Sequence, residues 1–236
     1  MKTPYVYKLY TGKVKRLGKP GAKDPLDREW ETGMFKRETN QEVFLTKTNL
    51  KGDEVADKKV HGGPEKALFA YPVDHYEYWR QNLQMDTIGP GAFGENLAVK
   101  SMTEETVCIG DIYKLGEAII QVSQPRRPCW KPARRFKVLD FALRIQKSGL
   151  TGWYFRVLKE GLIKNGQKLI LKERTYPEWT IKRANEVMYT YKKDQNLTKA
   201  LAMCEPLAEN WKETLNRRLR GIESKEEKRV FGPNKS

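Results

Sequence analysis

Apolar and polar positions alternate, in part, through much of the first half of the chain. Residues 5–17 show partial alternation, and residues 33–37 and 41–49 are short runs rich in β-formers. Residues 67–71, Ala-Leu-Phe-Ala-Tyr, form a compact apolar run that ends at Pro72 and reads as a buried strand. After Pro72 the period changes. Val73, Tyr76 and Trp79 share one face of a helix expected over residues 72–80. Strand character returns at 95–100, 112–115 and 118–123, with Gly110-Asp111 and Gly116-Glu117 supplying turns. Phe136, Leu139, Leu143 and Ile145 then mark one helical segment running to Lys147 and closed by Ser148-Gly149. Residues 152–158 and 167–172 read as further strands, the second preceded by the turn dipeptide Asn165-Gly166.

From about Thr175 only amphipathic helical patterns follow, at 180–191, 197–203 and 208–219. Thr180 can cap the first of them, or Pro177-Glu178 can open it one turn earlier. The expected fold is therefore β-rich α+β, with residues 1–175 as the β-rich domain and 176–220 as a small all-α three-helix domain. Residues 221–236 form a charged tail expected to fray. Short amphipathic helices need tertiary partners, so the three helices should pack as a bundle, against one another or against the barrel, and we expect a separable module.

Composition narrows the function classes. The chain has 236 residues, 39% of them hydrophobic, which allows one large domain or a medium one with a small companion. Its three cysteines and two histidines have no paired metal-ligand spacing, so a zinc or iron–sulfur site is not expected. An odd cysteine count without a disulfide framework points to a reducing compartment. Met1-Lys2-Thr3-Pro4-Tyr5 leads into a polar segment, no run approaches a membrane span, and a cytoplasmic protein is expected. The net charge of +15 attracts anions: nucleic acid, membranes or phosphorylated small molecules. The basic residues are dispersed and no nucleic-acid module is recognisable, which disfavours nucleic-acid binding.

Three segments carry candidate chemistry. Gln124-Pro125-Arg126-Arg127-Pro128-Cys129-Trp130 sets one thiol among prolines, two guanidiniums and Lys131. Proline stiffens such a segment, and nearby cations favour the thiolate, the form that ligates metals. A half-buried cysteine in a proline-rich turn is the plain alternative. In residues 52–67, His61-Gly62-Gly63 stands beside Lys58 and Lys66, donors for anionic oxygens next to a backbone that allows close approach. Gly89-Pro90-Gly91-Ala92-Phe93-Gly94 makes a shaped loop before Glu95-Asn96. Its backbone N–H groups could face phosphate, although it is neither a Walker A nor a Rossmann fingerprint. His75, beside Tyr76 and Trp79, reads as structural, and Cys108 and Cys204 as core residues.

In order and spacing these segments resemble the MOSC domain, named for the C-terminal domain of molybdenum cofactor sulfurase. The resemblance runs through residues 57–71, 91–97 and 124–129. Gly152-Trp153-Tyr154-Phe155-Arg156-Val157 and the three helices are similar to a narrower group, the bacterial 6-N-hydroxylaminopurine resistance proteins. The resemblance implies a β-barrel with flanking helices that binds a molybdenum–pterin cofactor, with Cys129 as the thiolate ligand to molybdenum. It implies a cofactor pocket lined by Lys58, His61, Lys66, Asn96, Arg126 and Tyr154. The activity implied is reduction of N-hydroxylated bases and related compounds to amines. Electrons would come from a separate reductase or an iron–sulfur or flavin protein, since no flavin or haem motif is present. A carrier of cofactor or sulfur without turnover remains the alternative, and nucleic-acid binding a second one.

Overall fold

The apolar runs pair into one large sheet. The computed structural model describes residues 3–222 and 226–235. The strands are β1 (Tyr5–Thr11), β2 (Lys15–Leu17), β3 (Trp30–Thr32), β4 (Arg37–Glu38), β5 (Val43–Leu45), β6 (Leu68–Pro72), β7 (Leu97–Lys100), β8 (Ile112–Leu115), β9 (Ala118–Pro125), β10 (Trp153–Lys159), β11 (Gly161–Ile163) and β12 (Leu169–Glu173). Eight of them form a curled sheet in the order β12-β8-β9-β10-β6-β7-β1-β4, and β11-β5 and β2-β3 make two-stranded ribbons beside it. All neighbours are antiparallel except β6 and β7. Tyr5 bridges Lys168, and Leu169 N–H donates to Pro4 O at 2.9 Å. The start of β1 thus meets β12, and the sheet curls into a half-barrel.

Strand β6 is buried throughout, as its unbroken apolar run requires. Leu68 and Ala70 face the barrel core with Trp153 and Phe155 of β10. Phe69 and Tyr71 face outward with Tyr154 into a second, aromatic core. There they meet Tyr76 and Trp79 of α2 (His75–Leu83), following α1 (Lys58–His61) in the chain. His75 is buried and its Nε2 lies 2.6 Å from Glu104 Oε2, a structural contact. The helical segment expected to run from Phe136 to Lys147 is broken. It forms α3 (Lys131–Phe136) and α4 (Phe141–Ser148), because Lys137 adopts a left-handed φ of 57° and ends the first.

Helices α5 (Ile181–Tyr189), α6 (Gln195–Ala202) and α7 (Glu209–Leu219) follow. Thr180 Oγ1 caps α5 by accepting from Arg183 N–H at 3.0 Å, the later of the two expected starts. These helices do not form a core of their own. Trp179, Ile181, Val187, Leu201, Trp211 and Leu215 belong to the same apolar cluster as the barrel interior. Ile181 N–H donates to Val107 O and Ala208 N–H to Ser123 O, at 2.8 and 2.9 Å. Of the two packings expected, against one another or against the barrel, the helices make the second: they close one side of the barrel core. The tail expectation also changes. Residues 226–235 contain α8 (Glu226–Val230) and a short 3-10 turn at Gly232–Asn234, and Val230 and Asn234 are buried. The remaining tail positions, 223–225 and 236, lie outside the described residues. Among the described residues no helix is long and apolar enough to cross a membrane.

Candidate functional site

A cleft of about 670 Å³ opens on the outer face of the sheet, and Lys58, His61, Lys66, Asn96, Arg126, Cys129 and Tyr154 all line it. The topology explains the convergence. Phe69 of β6 pairs with Tyr154 of β10, which pairs with Gln124 of β9. The chain leaving β9 therefore passes beside both rings before α3 begins. Arg126 N–H donates to Gly152 O at 3.0 Å, and the guanidinium sits 5.5 Å from the Phe69 ring centre. Cys129 follows, 8% exposed, at the foot of α3.

The thiol of Cys129 is an acid of unusual strength for its burial. Burial opposes its ionisation. The charge of His61 and its hydrogen bond to the sulfur, then the Arg126 guanidinium and the Lys131 backbone N–H, outweigh that and bring it down to about 6. Cys108 and Cys204 go the other way: burial pushes them up to about 11 and about 12. All three thiols are free. One soft ligand is thus held largely as thiolate at neutral pH.

His61 and Lys66 are held by the segment between α1 and β6. Asp57 Oδ1 accepts from Val60 N–H at 3.1 Å, and Lys66 Nζ donates to Val60 O at 2.6 Å. Glu65 anchors the far end, accepting from Arg156 of β10, whose Nη2 also reaches Pro206 O at 2.8 Å. Gly63, between them, has φ 95° and nothing within 4 Å of where a Cβ would stand. It keeps the backbone open towards the cleft. Burial and the neighbouring Arg127 lower the Lys66 ammonium from its ordinary value.

The glycine loop works differently from its sequence reading. Gly91 and Phe93 donate their N–H groups to the buried carboxylate of Glu95, at 2.5 and 3.2 Å, and Tyr76 also donates to it. These two groups are spent within the fold and do not face phosphate. Asn96 lines the cleft, but its side chain is also committed. Its Oδ1 accepts from Phe69 N–H at 3.1 Å, and its Nδ2 donates to Asp53 Oδ2 at 2.9 Å and to Tyr10 O at 3.3 Å. Asn96 is therefore a strut of the wall. Of the two arginines, only Arg126 faces the cleft. Arg127 Nη1 donates to Thr214 Oγ1 of α7 at 2.9 Å.

Sequence reasoning missed Lys36, Asp53 and the part of Lys131. The Lys36 ammonium is bonded to Asp53 Oδ1, both side chains are 5% exposed, and both residues line the cleft. Nothing in spacing signals this pair. Lys131 was visible as a cation near the thiol, but its backbone N–H does more than its charge. Its Nζ donates to Glu31 O at 2.9 Å.

The donor set fits an anionic, metal-bearing cofactor. Arg126 is 6% exposed and its Nη1 has no hydrogen-bond partner, an orphaned buried donor at the cleft. Among the described residues no cluster of three or more His, Cys, Asp or Glu could hold a metal alone. A metal here would need to bring most of its own ligands and take one thiolate from the protein, which a molybdenum–pterin group does.

Known proteins resemble this chain in sequence and in fold. Residues 57–170 match the MOSC domain, and residues 179–221 match the YiiM-like 3-alpha helix domain. YflK of Bacillus subtilis (strain 168) is 41% identical over 196 residues, covering 83% of this chain and 88% of that protein. Protein YiiM of Escherichia coli (strain K12) is 36% identical over 233 residues, covering 97% and 99%. The crystal structure of YiiM from Escherichia coli superposes with a TM-score of 0.80, covering 98% of this chain and 100% of that one. A protein of Gibberella moniliformis (strain M3125 / FGSC 7600) named as a reductase is 40% identical over 188 residues, which make up 33% of its length. The chain belongs to the MOSC family and carries the YiiM-like three-helix domain.

Proposed function

We propose that this MOSC-family chain binds a phosphorylated molybdenum–pterin cofactor in the Cys129 cleft and reduces N-hydroxylated compounds to amines. One observation carries the reading: a buried cysteine favoured as thiolate shares a cleft with a buried, unpartnered arginine donor. When bound, such a cofactor supplies two-electron chemistry that removes oxygen from nitrogen, while the protein binds and orients.

The residues divide that work. Cys129 Sγ would supply the protein's thiolate to the metal. Arg126, whose buried Nη1 has no protein partner, would donate to an anionic oxygen, and Lys58 and Lys66 add positive charge along the same wall. Phe69 and Tyr154, with ring centres 5.2 Å apart, give an aromatic side to the cleft. Burial pushes the Tyr154 hydroxyl up to about 12 against the pull of Arg126, so it stays a neutral phenol at neutral pH, a hydrogen-bond donor and not an anion. Electrons would come from a separate reductase or an iron–sulfur or flavin protein. The fungal relative's name supports an oxidoreductase.

The test is turnover. Protein purified from a cofactor-competent host should form amine from a hydroxylamine substrate with an artificial electron donor, and Cys129→Ala should not. Protein that holds molybdenum and pterin yet forms no amine would be a carrier, and the proposed activity would be wrong.

A further inference from the structure

The C-terminal segment meets the site in a way that the sequence motifs do not foreshadow. Beyond α7, residues 226–235 turn back over the segment that bears Cys129. Trp130 N–H donates to Arg229 O at 2.9 Å. The Arg229 guanidinium donates from Nη1 to Pro128 O, and from Nη2 to Gln146 Oε1 of α4 at 2.8 Å. Asn234 Nδ2 donates to Trp130 O at 3.2 Å, while its Oδ1 accepts from Arg134 Nε at 2.7 Å. Gly232 lies against the Trp130 indole so closely that a Cβ there would stand 2.3 Å from Cδ1.

We propose that Arg229, within this C-terminal strap, is the positioning residue for Cys129. Pro128 O belongs to the peptide group before Cys129, and Trp130 N to the peptide group after it. Arg229 holds both, one through its side chain and one through its backbone. Those two planar groups define φ and ψ of Cys129, so one residue about a hundred positions downstream sets the direction in which the thiol leaves the backbone. The segment needs such a clamp. It lies between the end of β9 at Pro125 and the start of α3 at Lys131, outside any ladder. The strap's apolar anchor is Val230, buried at its centre.

The clamp matters to the proposed activity only if Cys129 is the ligating thiolate, and the experiment separates the two. Three proteins are compared with wild type: Arg229→Ala, Arg229→Lys and a chain ending at Ile222. In cofactor-free protein, the shortened chain, which removes the Arg229 carbonyl, should speed amide exchange at Trp130 by at least tenfold, while it and Arg229→Ala both lose the side-chain bond to Pro128 O. They should also change the iodoacetamide rate of Cys129 at pH 7 by at least threefold, with Cys108 and Cys204 unaffected. Made in a cofactor-competent host, they should retain less than a tenth of the wild-type molybdenum. Arg229→Lys, which keeps a side-chain donor for Pro128 O, should recover most of what Arg229→Ala loses. Since Arg229→Ala alters one side chain, it keeps the test open if the shortened chain fails to fold. A shortened chain whose Trp130 amide exchanges at the wild-type rate, or an Arg229→Ala protein whose Cys129 rate stays at the wild-type value, would overturn the clamp. Wild-type protein without molybdenum would overturn the proposed function, and the clamp would still be decided by the two cofactor-free measurements.

Discussion

Replacing His61 with alanine tests the electrostatics of the site before any cofactor is involved. In wild type, a thiol at about 6 is roughly nine-tenths thiolate at pH 7, whereas one at about 11 is thiolate about once in ten thousand. The weaker base is also the weaker nucleophile, which returns about two orders of magnitude to Cys108. Cys129 should therefore alkylate about fiftyfold faster than Cys108 before access is counted. Access adds to this, since Cys129 faces the cleft and the other two thiols are 2% exposed. The sign follows from the thiol losing its proton: the rate rises with pH, passes half-maximum near about 6 and is flat above about 8. In His61→Ala, burial is opposed only by Arg126 and the Lys131 N–H, so the half-point should move up past about 7.5. Iodoacetamide labelling of cofactor-free protein from pH 5 to 10, read by peptide mass spectrometry, gives all three rates. A wild-type half-point near 9, or one that His61→Ala leaves in place, would refute the reasoning.

Other outcomes follow from single contacts. Asp53→Ala should cost about 3–5 kcal/mol, read as a lower urea midpoint, because it leaves the buried Lys36 ammonium uncompensated. Arg126→Met should abolish pterin retention, while Arg127→Ala, whose side chain is turned to Thr214, should keep it; pterin fluorescence of purified protein distinguishes them. Truncation near Tyr176 should leave a barrel without a cooperative thermal transition, since it removes Trp179, Trp211 and Leu215 from the shared core. A sharp transition in residues 1–175 would show the barrel to be independent after all.

Much of this was legible in the chain because it rests on local pattern. The apolar run of β6, the change of period at α2 and the capping hydroxyl of Thr180 are each decided by a few neighbouring residues. So is the setting of Cys129 among prolines and cations. What escaped depends on distant pairing. Nothing near Lys36 announces that Asp53 and the cleft lie beside it. Asn96 and the Gly91–Phe93 backbone look ligand-facing until their bonds to Phe69, Asp53 and Glu95 are seen. The helical break at Lys137 has no sequence mark, because a left-handed lysine is set by tertiary packing. The charged tail looked unable to pack, yet one arginine and one asparagine find the polar backbone of the segment on either side of Cys129.

The central claim is that Cys129 supplies the thiolate of a molybdenum–pterin site. Molybdenum and pterin should be measured together on wild type and Cys129→Ala purified from a cofactor-competent host, with circular dichroism to show that both are folded. The account predicts stoichiometric molybdenum and pterin in wild type and loss of molybdenum in the variant. A folded Cys129→Ala protein with wild-type molybdenum, or a wild type with neither metal nor pterin, would contradict it.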